Sequence, residues 1–303
     1  MSFRYSFLLL FAAACATSGS GDTDTSSSTV EPREFSDFVN TTEAPTGDLT
    51  CKDAALGTVD PAKQVDVTFN GEVHDFQLKD VVAEATVNFW FDDDVSATMS
   101  TTVQADTKGA FTVDLPACTP LAYESTTPVD WQQTVDTYEV HQIYGYEEDG
   151  SVDGEYVNSV SQQTSTLIPA LIGLEWDPTT GIIAGTAYDC TETGIGNAQV
   201  FIHDEAGNAP PTGEIFYFNS SDLPTARDPE DAATARTNPD NGLWVAINVP
   251  VGVWIAEMYI WDGSTYVMLG STQLEIKAGS VNISNIYTGH TDGIAYPPSC
   301  LVQ

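Results

Sequence analysis

The chain has 303 residues, enough for two folded cores of ordinary size. It carries 44 Asp and Glu against 9 Lys and Arg, which gives a formal net charge of −35. Binding to nucleic acid, or electrostatic adhesion to anionic lipid, requires clustered Lys or Arg, so this charge argues against both. The acidity by itself indicates a strongly solvated surface rather than a specific cation site.

The chain begins with a short apolar run over residues 7–14 that stops at Cys15. The run is far shorter than the ~20 apolar residues that a membrane-spanning helix requires, so we interpret it as an export signal. It resembles a bacterial lipoprotein signal, in which small residues precede a cysteine that receives lipid. The resemblance implies a signal peptide over residues 1–14 and lipidation of Cys15. An ordinary secretory signal cleaved near Ala14 or Ser18 is the alternative.

Residues 15–47 are rich in Ser, Thr, Asp and Gly and nearly devoid of aliphatic side chains. Such a composition cannot offset the entropy lost on ordering, so we predict a disordered tether. About 32 coil residues span on the order of 30 Å, enough to hold a folded domain clear of the membrane headgroups.

Beyond the tether, apolar residues alternate with period two between turn residues, and no sustained 3.6-residue period is found. We therefore predict an all-β chain of two units, which divide near residue 178 in the 177–181 turn. Each unit contains a strand that is closed by a proline, at Pro116 and at Pro250. Their alternate residues are expected to face a core: Phe111, Val113 and Leu115 in the first unit, and Val245, Ile247 and Val249 in the second.

The two units repeat the same order of signals. A Gly-Thr strand at Gly57 or Gly185 is followed by an Ala-x-Val strand and then by the strand that ends in proline. This order resembles the carboxypeptidase regulatory-like domain, a small transthyretin-like β-sandwich. The resemblance implies tandem transthyretin-like sandwiches over residues 48–177 and 178–303, of a type that is usually non-catalytic.

The second unit fits this resemblance better than the first. It keeps Gly252 after its proline and Trp254 in the aromatic position. In the first unit Cys118 stands where glycine is expected, and Pro120 stands where the aromatic residue belongs. A Lys-to-Asn isopeptide bond, known from similar adhesin repeats, is not expected in the second unit, whose only lysine is Lys277.

Each unit also carries an elaboration of its own. In the first, two alternating runs at residues 65–69 and 72–76 flank Asn-Gly, which favours a type I′ turn and predicts an added hairpin. In the second, residues 204–236 form a long excursion of the kind that often carries binding. Within it, residues 214–218 are predicted to be a further sandwich strand.

Four cysteines besides Cys15 suggest two disulfides in an exported chain. Their spacing matches no zinc pattern, so metal ligation is the weaker alternative. Cys51 precedes the first strand of its unit and Cys118 follows the Leu-Pro turn, while Cys190 and Cys300 bracket most of the second unit. Of the three possible connectivities we predict Cys51–Cys118 and Cys190–Cys300, one bond within each unit.

The sequence contains no local catalytic motif. The histidines (His74, His141, His203 and His290) lie in no zinc-binding spacing, and neither a Gly-x-Ser-x-Gly elbow nor a phosphate loop is found. The run Asp92, Asp93 and Asp94 follows an apolar strand and is a calcium candidate, because Ca²⁺ relieves the repulsion of crowded carboxylates. A solvated turn is the preferred interpretation, since the glycine and distal glutamate of an EF-hand loop are missing.

These observations favour a lipid-anchored, non-catalytic cell-envelope protein with a structural role or a carbohydrate- or protein-binding role. No cofactor and no nucleic-acid partner are expected, and the membrane is contacted through the lipid anchor only. The expected location is the outer membrane, with the domains facing the periplasm or the surface. The alternative is an exported hydrolase that uses an unrecognised carboxylate pair, since a glycosidase needs only two placed carboxyl groups.

Overall fold

The computed structural model describes residues 43–128, 134–146, 150–226 and 231–302. Cys15, the signal peptide and most of the tether lie outside these residues, so what the sequence predicts of them stays a prediction. Within the described residues no helix is both long enough and apolar enough to cross a membrane. The described residues belong to one compact unit.

The all-β prediction is confirmed: strands dominate the described residues, which contain one α-helix. The strands of the first half are β1 (Asp66–Asp75), β2 (Thr86–Trp90), β3 (Thr101–Gln104), β4 (Ala110–Pro116), β5 (Leu121–Thr126), β6 (Thr134–Gln142) and β7 (Ser151–Ser161). After α1 (Gln162–Leu171) come β8 (Gly181–Tyr188), β9 (Gln199–His203), β10 (Glu214–Phe218), β11 (Pro224–Thr225), β12 (Leu243–Val249), β13 (Gly252–Trp261), β14 (Tyr266–Ile276), β15 (Ser280–Ile283) and β16 (Ile286–Tyr287). Short 3-10 turns lie at Pro61–Lys63, Ala232–Ala235 and Pro298–Cys300.

The first half is a sandwich of two sheets. Strands β6-β5-β2-β3 form one sheet and β7-β1-β4 the other, with β1 parallel to β7 and antiparallel to β4. One apolar cluster holds Phe69 of β1, Phe89 of β2 and Tyr123 of β5 together. The other face of β1 is polar and meets solvent, because its buried and exposed residues alternate.

The hairpin predicted at residues 65–76 is wrong, because Asn70 and Gly71 lie inside the continuous strand β1. Both edges of that strand are hydrogen-bonded, to β4 and to β7, and these long-range partners override the local turn signal. A Cβ atom on Gly71 would lie 2.3 Å from the Phe69 ring and 2.8 Å from the Phe111 ring. Glycine therefore serves ring packing here rather than a turn.

The second half places a sheet between two apolar layers. Strands β10-β12-β8-β15 pack on the sheet β14-β13-β9, and Trp244 and Met258 lie in the core between them. The opposite face packs against Ile168 of α1 and against Val135 and Val160 of the first half. Strand β8 is therefore buried on both faces, and its residues are buried without alternation from Gly181 to Ala187.

Strand β12 corrects one detail of the predicted core. Val245 and Ile247 join the cluster beneath α1, but Val249 joins the opposite cluster with Trp244. A bulge at Asn248, whose φ is +63°, shifts the register and moves Val249 to the other face. In the first half, by contrast, Phe111, Val113 and Leu115 share one cluster as predicted.

Helix α1 was missed because Pro169 and several Thr and Ser residues mask any helical period. Its first turn is nonetheless well capped, since the Ser161 hydroxyl accepts the amide of Thr164 at 3.0 Å. The buried carboxylate of Asp75 accepts the amide of Ser161 at 2.7 Å and so ties the helix to β1.

The predicted disulfide pairing is wrong, because the bonds are Cys51–Cys190 and Cys118–Cys300. Each bond links the two halves, since each terminal segment of the folded part runs along the opposite half. Near the first segment, the amide of Cys190 donates to the carbonyl of Asp48 at 2.9 Å. At the other end Leu301 bridges to Val59 and brings Cys300 back to the first half.

More than the disulfides crosses the predicted boundary near residue 178. Strands β6 and β15 pair in parallel, so hydrogen bonds run continuously from one half into the other. Trp90 and Val140 of the first half also join the main core of the second. The turn predicted at 177–181 exists, because Thr180 donates to the Asp177 carbonyl at 3.0 Å, but it does not separate two bodies. Independent folding of residues 178–303, which the sequence predicts, is the alternative to unfolding of both halves in one transition.

Candidate binding site

A polar pocket of about 280 Å³ opens where strands of the two halves meet. Strands β6, β7, β8 and β15 bring its walls together, and Gln77 and Lys79 from the turn after β1 complete it. Its remaining polar lining consists of Glu139, Asn158, Thr186, Tyr188, Asp222 and Asn285, and its apolar lining of Phe76, Leu243 and Ile283.

Glu139 is the buried acid of this pocket, with 4% of its surface exposed. Its Oε2 accepts hydrogen bonds from the Tyr123 hydroxyl and, at 2.9 Å, from Nδ2 of Asn158. The Tyr123 hydroxyl in turn accepts the amide of Asn158 at 2.8 Å. Burial raises the pKa of Glu139, and these hydrogen bonds offset the rise only in part. Among the described residues no hydrogen bond reaches Glu139 Oε1.

The opposite wall is formed by Thr186 and Tyr188 of β8. The Tyr188 ring stacks on Tyr287 with centroids 5.1 Å apart, and burial raises the pKa of its hydroxyl. The side chain of Asn285 is fixed because its Oδ1 accepts the amide of Thr186 at 3.0 Å. The pocket thus presents amide, hydroxyl and carboxyl groups whose positions are set by the strands, a set suited to binding a ligand rich in hydroxyl groups.

Two carboxyl groups, Glu139 and Asp222, line the pocket. Asp222 differs from Glu139, because it lies on a loop in the excursion over residues 204–236. Its Oδ1 accepts Nδ2 of Asn241 at 2.8 Å, and its backbone carbonyl accepts Nε2 of Gln77 at 2.8 Å. The excursion therefore contributes to the pocket, although most of the lining comes from strands.

The calcium candidates lie in the turn after β2, and each carboxylate has a hydrogen-bond partner. Asp92 accepts the amide of Asp94 at 3.4 Å. Asp94 accepts the hydroxyl of Ser96 at 2.6 Å, and this bond lowers the pKa of Asp94. Asp93 accepts the amide of His141 at 2.8 Å and approaches its Nδ1 at 2.5 Å. The described part of the chain contains no group of three or more His, Cys, Asp or Glu side chains placed to hold a metal ion.

His141 connects the two halves. Its Nδ1 contacts Asp93, and its Nε2 donates to the carbonyl of Gln273 on β14 at 2.7 Å. Both ring nitrogens act as donors in this arrangement, which requires the protonated imidazolium. Burial alone lowers the pKa of His141, but the hydrogen bond and charge of Asp93 raise it above its ordinary value overall.

The other three histidines have different neighbours. His74 contacts Glu72 at 2.9 Å on the polar face of β1. His203 contacts Glu257 at 3.3 Å, and that hydrogen bond raises the pKa of His203. His290 lines a separate groove near Cys51.

Comparisons with known proteins give no family. No protein-family model matches the chain, and no curated protein matches it. Among solved structures the chain is similar to the TIE protein of Bacillus anthracis (14% identity, 74% of this chain and 34% of that chain, TM-score 0.23). It is also similar to the shaft pilin SpaA of Lactobacillus rhamnosus GG (13% identity, 76% of this chain and 100% of that chain, TM-score 0.23). A streptococcal ancillary pilin is similar at 12% identity over 74% of this chain and 62% of that chain, with a TM-score of 0.22. Similarity at this level carries no argument about function.

Sequence reasoning did not find the pocket residues. One signal was present, because Val135, Thr137 and Glu139 share the same phase of β6 and the first two are β-branched residues of the kind enriched in strands. A glutamate in the inward phase of a strand is unusual and points to a buried acid. The partners of Glu139 come from β5 and β7, and no spacing in the sequence indicates that pairing.

Proposed function

We propose that the protein is a non-catalytic binding protein of the cell envelope and that the pocket around Glu139 binds a saccharide. The observation that carries this proposal is the set of amide, hydroxyl and carboxyl groups that the strands hold around one polar pocket, beside the ring of Tyr188. Saccharides offer many hydroxyl groups that both donate and accept, and sites that bind them satisfy these groups with fixed polar side chains.

Charge narrows the class of ligand. The protein has a net charge of −35, and the cation in the described pocket lining is Lys79. Anionic sugars are repelled over long range by such a protein, whereas neutral or amine-bearing sugars are not. The proposed ligand is therefore an uncharged or cationic saccharide.

The envelope part of the proposal depends on export and on Cys15. The two disulfides support export, because such bonds persist in oxidising compartments. We propose that lipid on Cys15 anchors the protein through the tether of residues 15–47, with the folded part facing the periplasm or the surface. Mass spectrometry of the mature N-terminus tests this. A diacylated Cys15 is expected, and an unmodified terminus that begins elsewhere contradicts the anchor. Cys15→Ser should release the protein from membranes.

The binding part is tested by replacing Asn158, whose Nδ2 holds Glu139 and which lines the pocket. Calorimetric titration with neutral mono- and oligosaccharides should give a dissociation constant that Asn158→Ala raises about tenfold, the effect of roughly one lost hydrogen bond. Asn88→Ala is the matched control, because Asn88 Nδ2 donates to Glu124 at 2.7 Å outside the pocket. Equal effects of the two substitutions, or no binding of any saccharide by the native chain, would contradict the proposal.

A hydrolase is the second candidate, and the observation that favours it is that Glu139 and Asp222 line the same pocket. A buried acid with a raised pKa beside a second carboxyl group is the arrangement of a glycosidase. Prolonged incubation with the oligosaccharides that bind, followed by detection of new reducing ends, separates the candidates. The binding proposal expects none. Turnover that Asp222→Asn abolishes would establish the hydrolase instead.

A further inference from the structure

The pocket continues onto the solvent-exposed polar face of β7 and β1. Because side chains alternate along a strand, Tyr156 lies on the same face of β7 as Asn158, which is two residues further along the strand. On β1 the residues in register with these two are Glu72 and His74. The rings of His74 and Tyr156 lie with centroids 4.3 Å apart, and Tyr156 is 56% exposed. An aromatic ring held by a neighbour and open to solvent thus lies next to the pocket.

On the far side of Tyr156 lies a second groove, of about 370 Å³. Its polar lining includes Asn70, Glu72, Asp106, Thr112 and Glu155, and Gly71 and Gly154 also line it.

Hydrogen bonds fix the floor of this groove. Nδ2 of Asn70 donates to Asp153 at 2.8 Å, and the hydroxyl of Thr112 donates to Asn70 Oδ1 at 2.8 Å. Gly154 has a φ of +77° and is the extra residue of the bulge at which β7 shifts its register against β1. A Cβ atom on Gly154 would meet nothing within 4 Å, so the groove is open at the bulge.

We propose that the ligand is an oligosaccharide that occupies the pocket and the groove at once, with a middle sugar stacked on Tyr156. This inference rests on the proposed function of the pocket. Asn158 and Gly154 are four residues apart on β7, on the order of 13 Å, which exceeds one sugar ring. A chain of about three units therefore fits the whole face, whereas a single sugar fits the pocket only. Aromatic rings bind the apolar face of a sugar by contact and dispersion.

The residues that line the groove restrict the charge of the oligosaccharide. Its described lining contains three carboxyl side chains, Glu72, Asp106 and Glu155, and none from Lys, Arg or His. A uronate in this position would meet like charge, while a neutral or amine-bearing sugar would not. The ligand is therefore a neutral or amine-bearing oligosaccharide rather than an acidic one.

The test compares the affinities for short and long saccharides in the native protein and in Tyr156→Ala. The probes are glucose and N-acetylglucosamine, with their β-1,4-linked tetramers, titrated by calorimetry. In the native chain a tetramer should bind at least tenfold more tightly than its monomer, a gain of about 1.4 kcal/mol. Tyr156→Ala should remove that gain and leave monomer binding unchanged. Tyr156→Phe should keep the gain, because it retains the ring.

The outcomes separate the two claims. Equal affinities for monomer and tetramer, or equal losses for both in Tyr156→Ala, would overturn the extended site while leaving the pocket in place. A tetramer of galacturonate that binds as tightly as the neutral tetramers would overturn the charge argument. If neither monomers nor tetramers bind, both the extended site and the proposed function fail.

Discussion

Strands β4 and β12 hold the same place in the order of sequence signals of the two halves, and both run up to a proline, yet they are buried differently. In β4 the apolar residues point into one core and Thr112 faces solvent. In β12 both faces are covered, and the bulge at Asn248 moves Val249 to the second core. The layers that surround a strand, rather than its own pattern, decide how many faces it buries. The half with one face open to solvent also carries Tyr156 and the groove, which extend the proposed ligand site beyond the pocket between the halves.

The largest effect is expected on removing a disulfide, and it tests whether the two halves unfold together. The double variant Cys118→Ala with Cys300→Ala removes a bond that spans 182 residues, and we expect the free energy of unfolding to fall by about 4 kcal/mol. Urea unfolding followed by tryptophan fluorescence and by circular dichroism measures this. A single coincident transition at a lower midpoint is expected. An unchanged midpoint would show that the bond does not constrain the unfolded chain, and two separate transitions would show independent halves.

A smaller loss of stability should distinguish β12 from β4 directly. Ile247→Ala leaves a cavity beneath α1 in a doubly covered sheet and should cost about 3 kcal/mol. Val113→Ala, at the corresponding position of β4, removes a smaller and half-buried side chain and should cost about 1 kcal/mol. Equal losses in urea unfolding would contradict the difference in burial that separates the halves.

The smallest effect concerns His141, which contacts Asp93 in one half and Gln273 in the other. The pKa of His141 is raised in the folded chain, so the contribution of the imidazolium is fully present below the unfolded value of about 6.5 and is lost as pH rises through the folded value. We expect this contribution to be about 1 kcal/mol. The difference in unfolding free energy between the native chain and His141→Gln should therefore shrink from pH 6 to pH 9. A difference that is constant over this range would contradict the charged bridge.

Much of the fold could be predicted from the sequence. Period-two alternation indicated the all-β class, the strand at residues 214–218 and the turn at 177–181. Partners distant in the chain could not be predicted, because periodicity reports which face a residue occupies and not what lies against it. The Asn-Gly pair at residues 70–71 shows this, since a strong hairpin signal was overridden by two neighbouring strands. The cysteines show it again, because proximity in sequence favoured bonds within each half.

The site was less predictable than the fold. The phase of β6 made Glu139 an inward residue, but Asn158 lies on a strand that reaches it only through tertiary packing. Tyr156 and His74 are 82 positions apart in the sequence and become neighbours because β1 and β7 pair in parallel, in a register that no local pattern encodes. The sequence therefore indicates which way a residue faces within its own strand, but not which residues of other strands lie beside it.

The central claim is that the polar face from the Glu139 pocket across Tyr156 is the binding surface. The most direct measurement is a nuclear magnetic resonance titration of the full folded chain, isotopically labelled, with a neutral tetrasaccharide that binds. We predict that the largest chemical-shift changes fall on the amides of Asn158, Tyr156 and Glu72, and that Thr265, in the distant β13–β14 turn, does not shift. Changes confined to that turn or to other surfaces of the second half would contradict the account.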